Sequence, residues 1–313
     1  MRRFPLTSSG DEKNDPVNSQ SLLVKSLVFY GCQVPDHPGK WRVHEAMRKL
    51  LGVTVDEECE IERRGSKFFV NPSDFEHADI FWFGKKDMAE IEHMRRLLPA
   101  GSVILDIGAN LGFYSLELAR DSRLAAAIHA FEPHPGTHRR LVRHITANGL
   151  SSRITPHTLA LSDTAGHGHM SQCAGNSGAT HLSNDASGLP VVTTTLDAFV
   201  SRNGLTRLDA LKIDVEGMET AVLRGGLETL ERFKPMLVIE FWPFGLERAG
   251  TNSRALADLI GSAGYTLHDP RTPDLSPFPP GWMPSGADLV NVVCLHKDRT
   301  FGRGSGARGG GQR

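Results

Sequence analysis

The stretch Val103-Ile104-Leu105-Asp106-Ile107-Gly108-Ala109-Asn110-Leu111-Gly112 constrains this chain more than any other. A short apolar run carrying one acid ends in two glycines around a small polar loop, and an amphipathic helical pattern follows. Bounded by such breakers, the run reads as a strand buried on both faces. Gly108 and Gly112 permit a tight turn and a close approach of backbone to ligand that a Cβ would obstruct. In an open parallel sheet, ligands sit outside the carboxyl ends of the strands, which is where this turn falls.

From Gly101 onward, strand and helix patterns alternate, the mark of a doubly wound parallel sheet. Strands are expected at 103–106, 127–132, 154–161, 210–214 and 236–240. Helices are expected at 112–120, 135–148, 196–203, 217–233 (broken at Gly225-Gly226) and 253–262. Segments 167–173 and 191–195 fit an antiparallel excursion around a loop rich in Gly, Ser and Asn. Segments 264–268 and 288–295 complete seven strands; with no helix between them, they should pair antiparallel. The fold class expected is α/β, a Rossmann-like, mostly parallel seven-stranded sheet with one antiparallel strand.

Residues 21–100 show helical apolar spacing, as in Val43, Met47, Leu50 and Leu51, and a small hairpin around Arg64-Gly65. They read as an accessory cap leading into a main domain at 101–298. Residues 1–20 are polar, and 299–313 are rich in glycine and arginine; both read as disordered.

Lys+Arg number 35 and Asp+Glu 36, a net charge of −1. That balance, with no interleaved basic-aromatic run, gives no reason to expect nucleic acid. The apolar run Leu22–Tyr30 is interrupted by Lys25 and is too short to span a bilayer. Cys32, Cys59, Cys173 and Cys294 are scattered with no CxxC pair, which favours reduced thiols over a disulfide framework or zinc knuckle. The expectation is a cytoplasmic enzyme acting on a small molecule, with no membrane partner.

Four of the expected parallel strands end in an acid: Asp106, Glu132, Asp214 and Glu240. One such acid is ordinary capping, whereas four at one rim imply a site built to supply negative charge or many hydrogen-bond acceptors, which argues against a ligand whose main feature is phosphate. The dinucleotide fingerprint needs a third glycine and a place for pyrophosphate. Here the third glycine is missing and Asp106 precedes the loop. Glu132 falls 20 residues after Gly112, about the spacing at which an acid meets ribose hydroxyls. A cationic nucleoside without pyrophosphate fits, and S-adenosyl-L-methionine fits better than a nicotinamide dinucleotide.

The ordered motifs Val103–Tyr114, Ala130-Phe-Glu-Pro-His-Pro135, Ala160-Leu-Ser-Asp163, Thr195-Leu-Asp197, Lys212-Ile-Asp-Val-Glu-Gly-Met-Glu219, Pro235–Glu240 and Leu289–Val293 resemble the FkbM-type S-adenosylmethionine-dependent methyltransferases. The resemblance runs over about residues 80–296. It implies the class I methyltransferase sheet, and often methyl transfer to a hydroxyl on a sugar or glycan, a polyketide or another small metabolite. Asp106 and the loop of Gly108, Ala109, Asn110 and Gly112 are then expected at the methionine end, and Glu132 at the ribose. The resemblance puts Ser162 and Asp163 at the adenine. Asp214 should face donor and acceptor, and Asp214, Glu216 and Glu240 are the candidates to orient or deprotonate the acceptor. Clustered carboxylates bind Mg²⁺, but the spacing fixes no coordination set, so no metal is assigned.

Other polar features have plainer readings. His134 reads as a loop or capping residue, His167 and His169 as a solvent-facing pair, and Phe81, Trp82 and Phe83 as cap core. Glu216 and Glu219 fit equally a solvated helix start. Gly175–Gly178 is either a substrate loop or a plain one. Competing functions are a nicotinamide-dependent oxidoreductase and a non-catalytic S-adenosylmethionine-binding module.

Overall fold

The computed structural model describes residues 21–171, 180–183, 187–284 and 289–301. Residues 1–20, Cys173, the Gly175–Gly178 loop and the tail from 302 lie outside them. Helices Ser21–Gln33 (α1) and Lys40–Leu50 (α2) come first. The hairpin Cys59–Arg63 (β1) and Ser66–Val70 (β2) follows, then Phe75–Phe83 (α3) and Met88–Leu97 (α4). The alternating region runs Val103–Ile107 (β3), Phe113–Arg120 (α5), Ala127–Phe131 (β4), Pro135–Ala147 (α6) and Ile154–His157 (β5). An excursion follows: Ala160–Leu161 (β6), Gly166–Met170 (β7), Leu182–Ser183 (β8) and Leu189–Thr194 (β9). Next come Leu196–Arg202 (α7), Ala210–Ile213 (β10), Glu219–Arg224 (α8), Leu227–Phe233 (α9) and Met236–Phe241 (β11). Pro243–Arg248 (α10), Ser253–Ser262 (α11), Tyr265–His268 (β12) and Val290–His296 (β13) close the fold.

The seven-stranded sheet has the order β12-β13-β11-β10-β3-β4-β5. The pairs β10–β11, β10–β3, β3–β4 and β4–β5 are parallel, and β13 is antiparallel to both neighbours. The α/β class, the seven strands and the single antiparallel strand agree with the sequence. One strand does not: 154–161 is two elements. β5 ends at His157, and Ala160–Leu161 pairs with β9 in a separate four-stranded sheet, β6-β9-β7-β8. Pro156 fits only an edge strand, and no breaker in the sequence marks where the chain leaves that edge. The short helix α10, opened by Pro243 at its first turn, was also not expected. Arg299, placed by the sequence reading in the tail, bonds Asp209 at 2.6 Å and the Phe233 carbonyl at 2.9 Å.

Alternation along the strands divides the core in two. Ile104, Ile128, Ala130, Ala210, Met236 and Val238 belong to one apolar cluster, whereas Leu105, Phe131, Leu211, Ile213, Leu237 and Ile239 belong to the other. The first face is covered by α5, α6 and residues from 24 to 98, including Phe68, Ile80, Ile91 and Met94; the second is covered by α7 to α11. Side chains on a strand repeat with period two. Asp106, Glu132, Asp214 and Glu240 therefore all fall on the parity of the first face. The acids share a rim and also a side of the sheet, the side on which the accessory segment packs.

Candidate active site

The loop after β3 is held by its own backbone. Gly108 N–H and Ala109 N–H both donate to the Phe131 carbonyl, at 3.1 and 2.8 Å, tying the loop to β4. Gly108, Asn110 and Gly112 have φ of 81°, 48° and 82°, the left-handed region that favours glycine. At Gly108 a Cβ would stand 1.7 Å from the Asp214 carbonyl oxygen, so only glycine lets the loops after β3 and β10 touch.

Glu132 serves as the second clasp. One carboxylate oxygen accepts Asn110 N–H at 3.1 Å and the other accepts His134 N–H at 2.9 Å. Each oxygen keeps a lone pair and the residue lines the cavity described below. Burial lifts its carboxyl to about 7, against the pull of the His134 and Asn110 amides. His134 caps α6, accepting Thr137 N–H at 3.2 Å, in keeping with the plainer reading of that residue.

Asp106 is placed differently from the sequence reading. It is 1% exposed, accepts the Ser115 hydroxyl at 2.6 Å, and lies 3.7 Å from Lys212 Nζ. It stands beneath the cavity wall; Gly108, Ala109, Asn110 and Leu111 form that part of the lining, and Gly112 does not. Ser162 and Asp163 also lie off the wall. Ser162 N–H bonds the Thr194 carbonyl at 3.0 Å, and Leu159, Ala160 and Leu161 line the cavity in their place. This follows from the split of the expected strand, which turns the next two residues toward β9.

Asp214, Glu216 and Glu240 do come together at the cavity, with one carboxylate oxygen of each within 4.8 Å of the others. Glu216 sits at φ 57° in the turn after β10. Burial, then the charges of Asp214, Glu76 and Glu219, push its carboxyl up to about 8. Burial, then Asp214 and Glu216, raise Glu240 well above the ordinary range. Burial pushes Asp214 upward too, but Lys212 and Lys86 outweigh it and hold that carboxyl low. Glu219 is not a solvated helix start. It is fully buried and accepts Val215 and Gly217 N–H, both at 3.1 Å, bracing the turn that carries Glu216.

Two lysines complete the electrostatics, and the count of acids in the sequence overlooked both. Lys212 Nζ lies 3.1 Å from Asp214 and 2.9 Å from the Gly108 carbonyl. Burial disfavours its charge, but Asp214 and Asp106 outweigh burial and keep it an ammonium. A lysine inside the apolar run Leu211-Lys212-Ile213 was the available signal, since a buried lysine requires a partner. Lys86 pairs with Glu76 and faces Asp214 and Asp87. Apart from Asp87 nothing local to Gly84-Lys85-Lys86 marks it, because Glu76 comes from α3 and Asp214 from the turn after β10.

Lys86, Glu132, Lys212, Asp214, Glu216 and Glu240 open on one cavity of about 700 Å³, well within the size of small-molecule sites. Part of the lining is apolar, with Phe131, Leu161, Met170 and Leu182, and the accessory segment adds Trp41, Phe75, Phe83 and Lys86. Phe81 and Trp82 are core as expected, while Phe83 reaches the wall. The Tyr114 hydroxyl is buried at the cavity without a hydrogen-bond partner. No helix among the described residues is long and apolar enough to cross a membrane.

Residues 106–267 match the family model of the methyltransferase FkbM domain. Over 182 residues the chain is 30% identical to methyltransferase sdnD of Sordaria araneosa, a match covering 48% of this chain and 70% of that protein. Over 161 residues it is 25% identical to hexuronic acid methyltransferase AglP of Haloferax volcanii, covering 51% of this chain and 62% of the relative. A solved FkbM methyltransferase from Methylobacillus flagellatus KT aligns at a TM-score of 0.42 and 12% identity, over 90% of this chain and 60% of the other.

Proposed function

The chain belongs to the FkbM methyltransferase family, and from that premise we propose that it moves a methyl group from S-adenosylmethionine to a hydroxyl of a small, ring-bearing acceptor. One observation carries the reading. Glu132, clasped to the glycine loop, and the group Asp214, Glu216 and Glu240 line the same cavity. The free lone pairs of Glu132 suit ribose hydroxyls, the apolar part of the lining suits an adenine, and the wall of Gly108, Ala109 and Asn110 suits the methionine end, leaving the three carboxylates to the acceptor. Asp106 supports this arrangement from below, by fixing Ser115 and Lys212.

Transfer is an in-line displacement at carbon. The acceptor oxygen forms a bond to the methyl carbon while the carbon–sulfur bond breaks, its electron pair staying on sulfur to leave a neutral thioether. The hydroxyl proton passes to the carboxylate group of Asp214, Glu216 and Glu240, and through it to solvent. Alignment supplies much of the acceleration, and proton removal by a positioned carboxylate adds to it. Trp41 and Phe75 at the mouth, 53% and 60% exposed, give a ring-bearing acceptor an apolar face. That AglP is named for hexuronic acids supports a sugar or glycan hydroxyl; a polyketide-type hydroxyl fits the same surface.

Calorimetric titration tests the donor. S-adenosylhomocysteine should bind with a 1:1 stoichiometry and NAD should not. Tight NAD binding with no response to S-adenosylmethionine or its product would replace this reading with a nicotinamide enzyme. If the donor binds but no labelled methyl enters any component of a cell extract, the non-catalytic binding module is the better account.

A further inference from the structure

We infer that Asp214, Glu216 and Glu240 form a binding site for one divalent cation of the Mg²⁺ or Mn²⁺ type, and that the acceptor therefore presents two neighbouring oxygens to it. The inference rests on the methyl-transfer reading above and sharpens its acceptor end.

Two separate observations carry it. The first is the geometry: one oxygen from each of the three carboxylates lies within 4.8 Å of the others. Hard divalent ions take carboxylate oxygens at about 2.0–2.6 Å, so a single ion between the three reaches all of them with small side-chain rotations. The second is an orphaned atom. Glu240 is 5% exposed and lines the cavity, yet among the described residues its Oε2 has no hydrogen-bond partner. A buried carboxylate oxygen left bare is costly unless a cation or donor meets it.

The neighbouring lysines do not fill that role. Lys212 is committed to Asp214 and the Gly108 carbonyl, and Lys86 to Glu76. Among the described residues, neither Glu216 nor Glu240 forms an ion pair with them. Asp214 spends one oxygen on Lys212 and keeps the other. The ligand set is all oxygen, which suits Mg²⁺ or Mn²⁺ and not a thiophilic metal. These ions take about six ligands, so three carboxylates leave positions open toward the cavity. An acceptor bearing a vicinal diol, or a hydroxyl beside a carboxylate, fills two of them. The ion adds no bond change to the transfer step; it holds the acceptor oxygen and stabilises the charge left on it when its proton departs. The arrangement that competes with it is two carboxylates sharing a proton.

The test uses the full chain freed of metal by chelation and titrated with Mn²⁺ alone, the free ion being followed by its paramagnetic resonance signal. One Mn²⁺ per chain should be taken up and be displaced by excess Mg²⁺. Glu240→Gln and Glu216→Gln should each weaken uptake at least tenfold while S-adenosylhomocysteine still binds. Glu216 is half-buried, so its variant decides the matter if the Glu240 variant fails to fold. A signal that tracks added Mn²⁺ from the start, or wild-type uptake in Glu216→Gln, would overturn the site and leave the shared proton. The homocysteine titration on the same sample separates the two ideas. Binding of the nucleoside without Mn²⁺ removes only the metal site, whereas Mn²⁺ without the nucleoside removes the donor reading.

Discussion

The ammonium of Lys212 donates a 2.9 Å hydrogen bond to the carbonyl of Gly108, fastening β10 to the loop after β3. The same nitrogen lies 3.1 Å from Asp214 and 3.7 Å from Asp106. Lys212 stands level with Asp106 in the parallel register, and Asp214 is two residues on, so the three side chains share a face. One buried cation thus sets the position of the glycine loop and helps hold Asp214 charged.

Replacing Lys212 by Met keeps the length of the stem and removes the charge. It leaves Asp106 and Asp214 uncompensated at 2% and 21% side-chain exposure. Breaking such a buried pair costs about 3–5 kcal/mol, and urea unfolding should show a loss of that order. A loss under about 1 kcal/mol would mean that the lysine does not support the loop.

Gly108→Ala and Gly149→Ala form a matched pair, at φ 81° and 66°. The new Cβ meets the Asp214 carbonyl at 1.7 Å in the first and nothing within 4 Å in the second. Both carry the left-handed cost of about 1–2 kcal/mol, but only Gly108→Ala should also abolish S-adenosylhomocysteine binding. Equal melting temperatures and equal affinities for the two variants would contradict the contact.

Glu132 gives a pH dependence whose sign can be worked out. Burial raises its carboxyl to about 7 in the folded chain, with Asp106 raising it and Lys212 lowering it among its neighbours, against about 4.3 when unfolded. The folded state therefore holds the proton more tightly. This residue's contribution to stability is full below the unfolded value and is lost as pH rises through about 7. Ligand affinity runs the other way, because only the carboxylate accepts two ribose hydroxyls. Binding of S-adenosylhomocysteine should tighten between about pH 6 and 8, and Glu132→Gln should be weaker and flat across that range.

Trp41 and Phe75 are more than half exposed at the cavity mouth, so truncation should barely change stability. Trp41→Ala and Phe75→Ala should each raise the KM of a ring-bearing acceptor about 2- to 10-fold, the worth of one aromatic contact. The affinity for S-adenosylhomocysteine should stay within error of wild type. A fall in that affinity instead would place these residues at the donor.

Much of the frame is legible residue by residue. The apolar runs at Val103, Ala127, Ala210 and Met236 became parallel strands because each is too apolar to have a wet face. The terminal pair became antiparallel because, among the described residues, no helix lies between them to make a crossover. Of the four strand-end acids, Glu132, Asp214 and Glu240 line the cavity and Asp106 does not. What misled was adjacency. Ser162 and Asp163 follow a strand in the sequence, but the chain leaves the main sheet at His157, and no local residue preference records that departure.

The sequence by itself determined where strands end, which turns require glycine, and that acids gather at one rim, because these depend on neighbours a few residues away. Only the tertiary structure decided which acid lines the cavity. Asp106 and Asp214 look alike along the chain, yet Ser115 and Lys212 hold Asp106 beneath the wall while Asp214 stands in it. It also decided that Glu76, Lys86, Trp41 and Phe75 line the cavity with Asp214 and Glu240, since these residues meet only in the folded chain. Charge pairing and burial act through space, and the packing of the accessory segment on one side of the sheet brought those charges within reach of each other.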